Sequence, residues 1–364
     1  MTSIKKTFFL FLGFILFGSI GLLTLELIFG NWFNQDGWDK ASQLNLIRNK
    51  QFEYYIDHSY SDTPVVTTYT RDKYGLRGSC KEPKMIDILS LGGSTTDQRY
   101  IGDGETYQDH IQYYLNSKSS KIFCVSNAGV DGHSTFGHLE SFKRWFPLIP
   151  DLQPKMFILY IGINDAGFRV QSNNFDLADQ GNLKSLIKQR SALYDLYKKM
   201  HNLYALLTEQ RAYAQHSEGV PKIKDYTEKN SSLITKDLIK NNTNAFGNRL
   251  SMIITEISKY NAQFICVSQP NLFTKNINGN LAGIADVFEF EGKSYNGLDF
   301  YHSLDSINNQ MEKQCRKAGG GYLNLTQATF EIEDFYDPIH MTPEGVKKIG
   351  LYMAEALNQI KPEF

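Results

Sequence analysis

At 364 residues with 41% hydrophobic side chains, the chain is long enough for one large domain or two smaller ones and apolar enough to bury a core. Its 38 Lys and Arg nearly balance 39 Asp and Glu, and no basic stripe with interleaved aromatics occurs, so the charge pattern excludes a nucleic-acid partner. Four cysteines (Cys80, Cys124, Cys266, Cys315) are too few and too widely spaced for a disulfide framework or a zinc site.

The N-terminus departs from this average. Phe8 to Leu25 carries no charge, and after Glu26 the apolar character resumes through Leu27, Ile28 and Phe29, which is membrane length. Lys5 and Lys6 precede the run and no basic cluster follows it, so the positive-inside tendency leaves the N-terminus in the cytoplasm and the body of the chain outside. Trp32 and Phe33 then fall at the far interface. The expectation is a single-pass anchor in the cytoplasmic membrane over residues 1–33. A cleaved signal peptide is the competing reading, but its apolar core normally spans about 7 to 15 residues before a small-x-small site. Here the run is longer and ends in Leu-Glu-Leu-Ile-Phe-Gly. Residues 34–70 read as a membrane-proximal connector, and 71–364 as the main domain.

Within that domain five short, largely apolar runs without strict alternation are expected as strands covered on both faces: Ile86 to Leu91, Lys121 to Ser126, Met156 to Ile161, Gln263 to Ser268 and Gly321 to Leu325. Cys124 and Cys266 lie in two of them, where a thiol is ordinarily a small buried apolar group. An exported location would permit a bridge, but the sequence names no pair. Helical periodicity predicts helices over Thr106 to Leu115, Phe136 to Trp145, Leu250 to Tyr260, Ile307 to Lys317 and Pro343 to Ile360. The last is opened by Thr342 as N-cap, Pro343 at the first position and acidic Glu344. Strands alternating with helices imply right-handed crossovers and an α/β fold with a doubly wound, mostly parallel five-stranded sheet flanked by helices. The interval of about 168–249 exceeds one crossover and reads as a helical insertion, polar and rich in Lys and Tyr over Leu183 to Ala214 and loop-like over Ser217 to Ser232. Following the third strand, it would either cover a substrate or form a solvated hairpin.

Four polar islands fall where strands are expected to end. Ser94, in Gly92-Gly93-Ser94-Thr95-Thr96, enters a helix N-terminus where backbone donors lie beside its oxygen. Alone it is equally a routine strand-to-helix turn. Gly132, in Asn127-Ala128-Gly129-Val130-Asp131-Gly132, and Asn164, in Gly162-Ile163-Asn164-Asp165, open on the same edge. Their backbone N–H and carboxamide, with the N–H of Ser94, would make a three-donor oxyanion hole. His340, in Asp337-Pro338-Ile339-His340, can serve as general base, with Asp337 holding its tautomer if the Pro338 turn points both side chains inward. The other seven histidines (His58, His110, His133, His138, His201, His216, His302) read as surface residues, with His133 also a candidate substrate contact because it adjoins Gly132.

In order and content, the four islands resemble the serine, glycine, Gly-x-Asn-Asp and Asp-x-x-His blocks of the SGNH or GDSL hydrolase superfamily. The resemblance spans residues 66–358 and includes Asp72-Lys73-Tyr74-Gly75-Leu76-Arg77-Gly78, similar to a lead-in of membrane-anchored bacterial members, and the Met341-Thr342-Pro343-Glu344-Gly345 continuation. It implies a flavodoxin-like SGNH hydrolase fold, with Ser94 as nucleophile, Gly132 and Asn164 as oxyanion donors and Asp337 with His340 completing a triad. Gly93 stands where the family often has aspartate. The expected function is a membrane-anchored serine esterase or deacylase acting on an acyl-ester substrate, a glycan or a lipid, with no cofactor and no metal required. Two alternatives stay open: an acyltransferase passing the acyl group to an envelope polysaccharide, and a catalytically inactive membrane-tethered binding protein.

Overall fold

The computed structural model describes residues 2–30, 32–33, 37–56, 63–167, 176–177, 187, 190–207, 225–228, 235–285, 288–290 and 293–360. The chain divides into two compact units, residues 1–43 with 179–211, and residues 44–178 with 212–364. The elements begin with helix α1 (Thr2–Phe29), hairpin strands β1 (Lys50–Ile56) and β2 (Val65–Arg71), strand β3 (Ile88–Gly92) and the single turn α2 (Ser94–Asp97). They continue through α3 (Tyr107–Lys118), β4 (Val125–Gly129), α4 (Thr135–Arg144), β5 (Met156–Tyr160), α5 (Ile163–Ala166) and α6 (Ala192–Leu207). After these come α7 (Lys236–Ser258), β6 (Gln263–Val267), α8 (Gly297–Lys317), β7 (Gly321–Leu323) and α9 (Pro343–Ile360).

In the smaller unit, the 22-residue stretch Phe8–Phe29 of α1 has a mean hydropathy of 2.4, and its large apolar side chains lie exposed from Phe8 to Phe29. A soluble core helix would cover that surface. One N-terminal helix is thus long and apolar enough to cross a membrane, a property shared by an anchor and a signal sequence.

The larger unit is built on five parallel strands in the order β7-β6-β5-β3-β4. Counted by appearance this is 2-1-3-4-5, the doubly wound order whose ligand crevice lies where the winding reverses, beside the carboxyl end of the first strand. Register makes that crevice level. Gly92 pairs with both Gly129 and Tyr160, so the loops leaving β3, β4 and β5 start from one rim. The expected fold class is therefore the observed one.

Successive residues of a strand point to opposite faces. Ile88, Ile158, Tyr160, Ile265 and Val267 meet Tyr107, Ile111 and Leu115 of α3 and Val346, Ile349, Met353 and Leu357 of α9. On the opposite face Phe157 packs on Phe142 of α4, with ring centroids 5.6 Å apart. Each such large side chain contributes about 1.5–3 kcal/mol when fully buried.

Several elements differ from expectation. The second core strand is Val125–Gly129, displaced toward the C-terminus from Lys121 to Ser126. The run that looks most strand-like precedes the pairing, whereas the paired segment carries Ser126, Asn127 and Gly129. Helix α7 starts at Lys236, capped by Thr235 Oγ1 accepting from Leu238 N at 3.1 Å, and runs through position 249, where the insertion was expected to end. Within that insertion the structure describes α6 and a two-residue strand, Tyr226–Thr227, paired with Asn280–Ile284. Of Leu183 to Ala214 and Ser217 to Ser232, residues 183–186, 188–189, 208–214, 217–224 and 229–232 lie outside the described residues. Within 34–70, expected as a connector, β1 and β2 form an antiparallel hairpin with Lys50 opposite Arg71.

The cysteines also require correction: they form two disulfides, Cys80–Cys124 and Cys266–Cys315, with Cα atoms 5.7 and 6.4 Å apart. Asp87 and Ile88 N–H groups donate to Cys124 O, drawing the segment after Cys80 alongside the entry to β4, and α8 brings Cys315 over β6. Neither proximity is visible in spacings of 44 and 49 residues. Closing loops of that length constrains the unfolded chain by about 4 kcal/mol each in the chain-entropy treatment.

Candidate active site

Ser94 is the first residue of α2, directly beyond β3, and is half-buried. The chain reaches it through Gly93, where a Cβ would lie 2.4 Å from Asn164 Nδ2 and 3.0 Å from His133 O. Only a residue without a side chain lets the exit from β3 pass this close to the loops leaving β4 and β5. The glycine that replaces a commoner aspartate thus has a steric reason in this chain.

His340 comes to Ser94 from the other end of the sequence. Tyr336 N donates to His340 O at 3.0 Å, which closes the loop. One oxygen of Asp337 accepts from Ile339 N at 2.9 Å and His340 N at 2.7 Å, so the carboxylate itself fixes the Pro338 turn. Its other oxygen lies 2.6 Å from His340 Nδ1, and His340 Nε2 lies 2.7 Å from Ser94 Oγ. The Tyr336 ring stacks on the imidazole with centroids 5.7 Å apart and planes 9° from parallel, which limits rotation. Burial pushes the Asp337 carboxyl up, but the hydrogen bond from His340, its charge and the two backbone donors outweigh burial and hold it below the ordinary 3.8. An ionised Asp337 keeps the imidazole proton on Nδ1 and leaves Nε2 to accept from the Ser94 hydroxyl.

The other expected residues meet at the same place. Asn164 Nδ2 donates one hydrogen to His133 O at 2.8 Å, and a carboxamide has a second to offer. Gly132 is exposed in a left-handed turn with φ 77°, and Ser94 N–H, at the first helical position, has no acceptor within its own helix. The Gly93 contacts with Asn164 and the His133 backbone bring these donors to one rim. The arrangement can deprotonate a hydroxyl and receive a developing oxyanion. Among the described residues no group of three or more His, Cys, Asp and Glu side chains is placed to hold a metal ion.

Two histidines read as surface residues are instead buried, His133 and His138 at 2% and 1% exposure. His133 Nε2 lies 2.8 Å from Leu44 O, and burial holds both rings' basicity down, in His138 well below the usual range. The ring of His133 is therefore a packing group; its backbone carbonyl is what reaches the site. Asp165 is fully buried too, accepting from Thr135 N and paired with Arg249 at 3.1 Å, so it ties α4 to α7.

Sequence reasoning missed the support behind Ser94. Arg71, at the end of β2 and 2% exposed, forms a salt bridge with Asp97 of α2 and donates to Tyr69 Oη at 2.8 Å, Gly75 O at 3.0 Å, Asn127 O at 3.1 Å and Gly129 O at 2.6 Å. Burial pushes the Asp97 carboxyl up, but Arg71 and then Arg99 overcome it and keep it ionised. Arg77 donates to Asp97 O at 3.0 Å and Gln98 O at 2.8 Å, holding the chain where Gln98 turns left-handed at φ 51° to end α2. Two buried arginines thus fix both the serine turn and the glycine loop. The one available signal was that both fall in Arg71-Asp72-Lys73-Tyr74-Gly75-Leu76-Arg77, an ordered polar stretch outside any helix. Replacing Arg71 by Met takes away the buried partner of Asp97 and leaves it only the partly exposed Arg99 at 3.5 Å and the Tyr69 hydroxyl at 2.7 Å, so denaturant unfolding of the full chain in detergent should lose about 3–5 kcal/mol. A loss under about 1 kcal/mol would mean that water reaches this network.

A family model described as GDSL-like Lipase/Acylhydrolase matches residues 88–353. No curated protein matches the chain. Solved structures that align with it include Est24, a carbohydrate acetylesterase from Sinorhizobium meliloti, at 9% identity and TM-score 0.41, covering 76% of this chain and 99% of that one. The acetyl xylan esterase AlAXEase aligns at 14% identity and TM-score 0.40, covering 75% and 100%. A GDSL-like lipase from Bacteroides thetaiotaomicron VPI-5482 aligns at 10% identity and TM-score 0.37, covering 76% and 89%.

Proposed function

This chain belongs to the GDSL-like lipase/acylhydrolase family, serine hydrolases of ester bonds, and from that premise we propose that Ser94, His340 and Asp337 are its catalytic triad. The carrying observation is the continuous relay of 2.7 and 2.6 Å from Ser94 Oγ through the imidazole to the Asp337 carboxylate. Ser94 Oγ attacks the ester carbonyl carbon as its proton passes to His340 Nε2, and Asp337 stabilises the imidazolium. The carbonyl oxygen, now negative, is received by the N–H groups of Ser94 and Gly132 and the second hydrogen of the Asn164 carboxamide. Collapse of the intermediate expels the alcohol, which takes the proton from His340, and leaves Ser94 acylated. Water, deprotonated by the same imidazole, then attacks the acyl carbon and restores Ser94.

The N-terminal helix is the membrane anchor of this enzyme in our reading, with residues 1–33 as one pass of the cytoplasmic membrane, the N-terminus inside and the catalytic domain on the outer, periplasmic side. Lys5 and Lys6 before the apolar run support that orientation, and Trp32 after it marks the far interface. An enzyme so placed meets O-acyl esters of envelope glycans and lipids, and these are its proposed substrates. The test is release of acyl groups from short aryl esters by the full chain in detergent; no turnover of any such ester would overturn the reading. Asn164→Ala should lower kcat by about 10²–10³ with little change in KM, because the carboxamide acts on charge that exists only in the transition state. An equal loss through KM alone would assign Asn164 to substrate binding.

A further inference from the structure

Glu26 is the one charge inside the apolar span of α1, and its carboxylate is used. It accepts from Trp32 Nε1 at 2.7 Å and from Leu193 N at 3.0 Å, the latter in the first turn of α6. Ser191 Oγ takes the next donor, Tyr194 N, at 3.0 Å, so α6 starts with one cap from its own chain segment and one from α1. Arg190 Nη1 also reaches Trp32 O at 3.4 Å. Glu26 stands three residues before the end of Phe8–Phe29, roughly 4.5 Å along the helix axis from its last residue. The first turn of α6 is therefore fixed at the level where the apolar run ends.

From that level α6 carries a one-sided surface. Leu193, Leu196 and Met200, at successive helical repeats, are 36%, 54% and 62% exposed, and Tyr197 between them is 61% exposed. In the sequence the same spacing continues at Leu203, Tyr204 and Leu207. The other side of the helix is charged, with Asp195 bridged to Lys199 at 2.9 Å and Lys198 over the Tyr194 ring at 5.2 Å. Large apolar side chains left this exposed beside a membrane-length helix have one solvent at hand that accepts them.

We propose that α6 is an interfacial helix whose Leu193, Leu196 and Met200 face lies in the outer boundary of the bilayer that α1 crosses. The proposal rests on the anchor reading above, and it gives the segment following the third core strand a role: a second membrane contact, oriented by Glu26. A polar-faced helix with lysines flanking its apolar stripe is what the headgroup region of a phospholipid bilayer accommodates.

Spin labels placed singly by Leu196→Cys, Met200→Cys, Asp195→Cys and Lys199→Cys in the full chain, reconstituted in phospholipid nanodiscs, test this through collision with oxygen and with a water-soluble nickel chelate. A label at Leu16→Cys tests the anchor separately. The expected result is an oxygen-to-nickel accessibility ratio several-fold higher at 196 and 200 than at 195 and 199, with 16 higher still. If 16 reads as lipid while 196 and 200 match 195 and 199, or are shielded from both reagents by protein, the interfacial helix is wrong and the anchor stands. Nickel reaching the label at 16 would overturn both.

Discussion

Ser94→Ala should reduce kcat for ester hydrolysis by about 10⁶, and His340→Ala by a similar factor, while the double variant is no slower than either single one. The reason is the shared proton. With Nε2 of His340 only 2.7 Å from Ser94 Oγ, the hydroxyl becomes a nucleophile as it gives its proton to the imidazole, so removal of either partner removes the same step. What survives is stabilisation of the oxyanion for attack by water, about 10³–10⁴ over the uncatalysed rate. Folding should be little affected, since the hydroxyl is half-buried and its bond is made at the rim. Steady-state kinetics of the three variants checks this. Losses that multiply in the double variant would place the two residues in separate steps and refute the relay.

Asp337→Asn should leave the loop in place and still lower kcat by about 10⁴, because an amide facing Nδ1 favours the tautomer that puts the imidazole proton on Nε2, toward Ser94. The same carboxylate has a stability signature. Its folded value lies below the ordinary 3.8, so its contribution is fully present above that pH and disappears as pH falls through the folded value. Thermal unfolding of parent and Asp337→Asn compared at pH 6 and below pH 3.8 should show the parent's advantage shrinking on acidification. An advantage that grows instead would require a carboxyl raised, not lowered, by folding.

The parts of this molecule that sequence made legible are those where chemistry restricts both residue type and order. The candidate residues Ser94, Gly132, Asn164 and the Asp337–His340 pair, whose roles we propose, stand out in the sequence because an acyl-transfer rim needs a hydroxyl, small or amide donors and an oriented base, each at a strand end. The strands β3, β5 and β6 were equally plain, being largely apolar and buried on both faces apart from exposed Gln263 at the start of β6. The strand β4 was misplaced for a physical reason. Its Asn127 and Gly129 carbonyls are satisfied by Arg71, and Asn127 Nδ2 donates to Thr96 O at 2.6 Å, so polar residues occupy a buried strand that an apolar pattern cannot find.

The start of α7 was missed for a related reason. Lys236 to Asn244 is polar apart from Leu238 and Ile239 and gives no sustained apolar period until Phe246, although Asn242 is buried and donates to Asp165 O at 2.7 Å. The disulfide partners and the roles of Arg71, Arg77 and His133 depend on contacts between distant segments, which neither spacing nor composition encodes. Glu26 illustrates the same limit. In sequence it reads as a flaw near the end of an apolar span, and its use appears only when the first turn of α6 is set against it.

One measurement bears most directly on the triad: mass spectrometry of the full chain after exposure to a fluorophosphonate, with the adduct located by peptide mapping. A single phosphonylated serine, Ser94, is the expected result, with no adduct in His340→Ala. An adduct on a different serine, or undiminished ester hydrolysis by enzyme modified at Ser94, would contradict it.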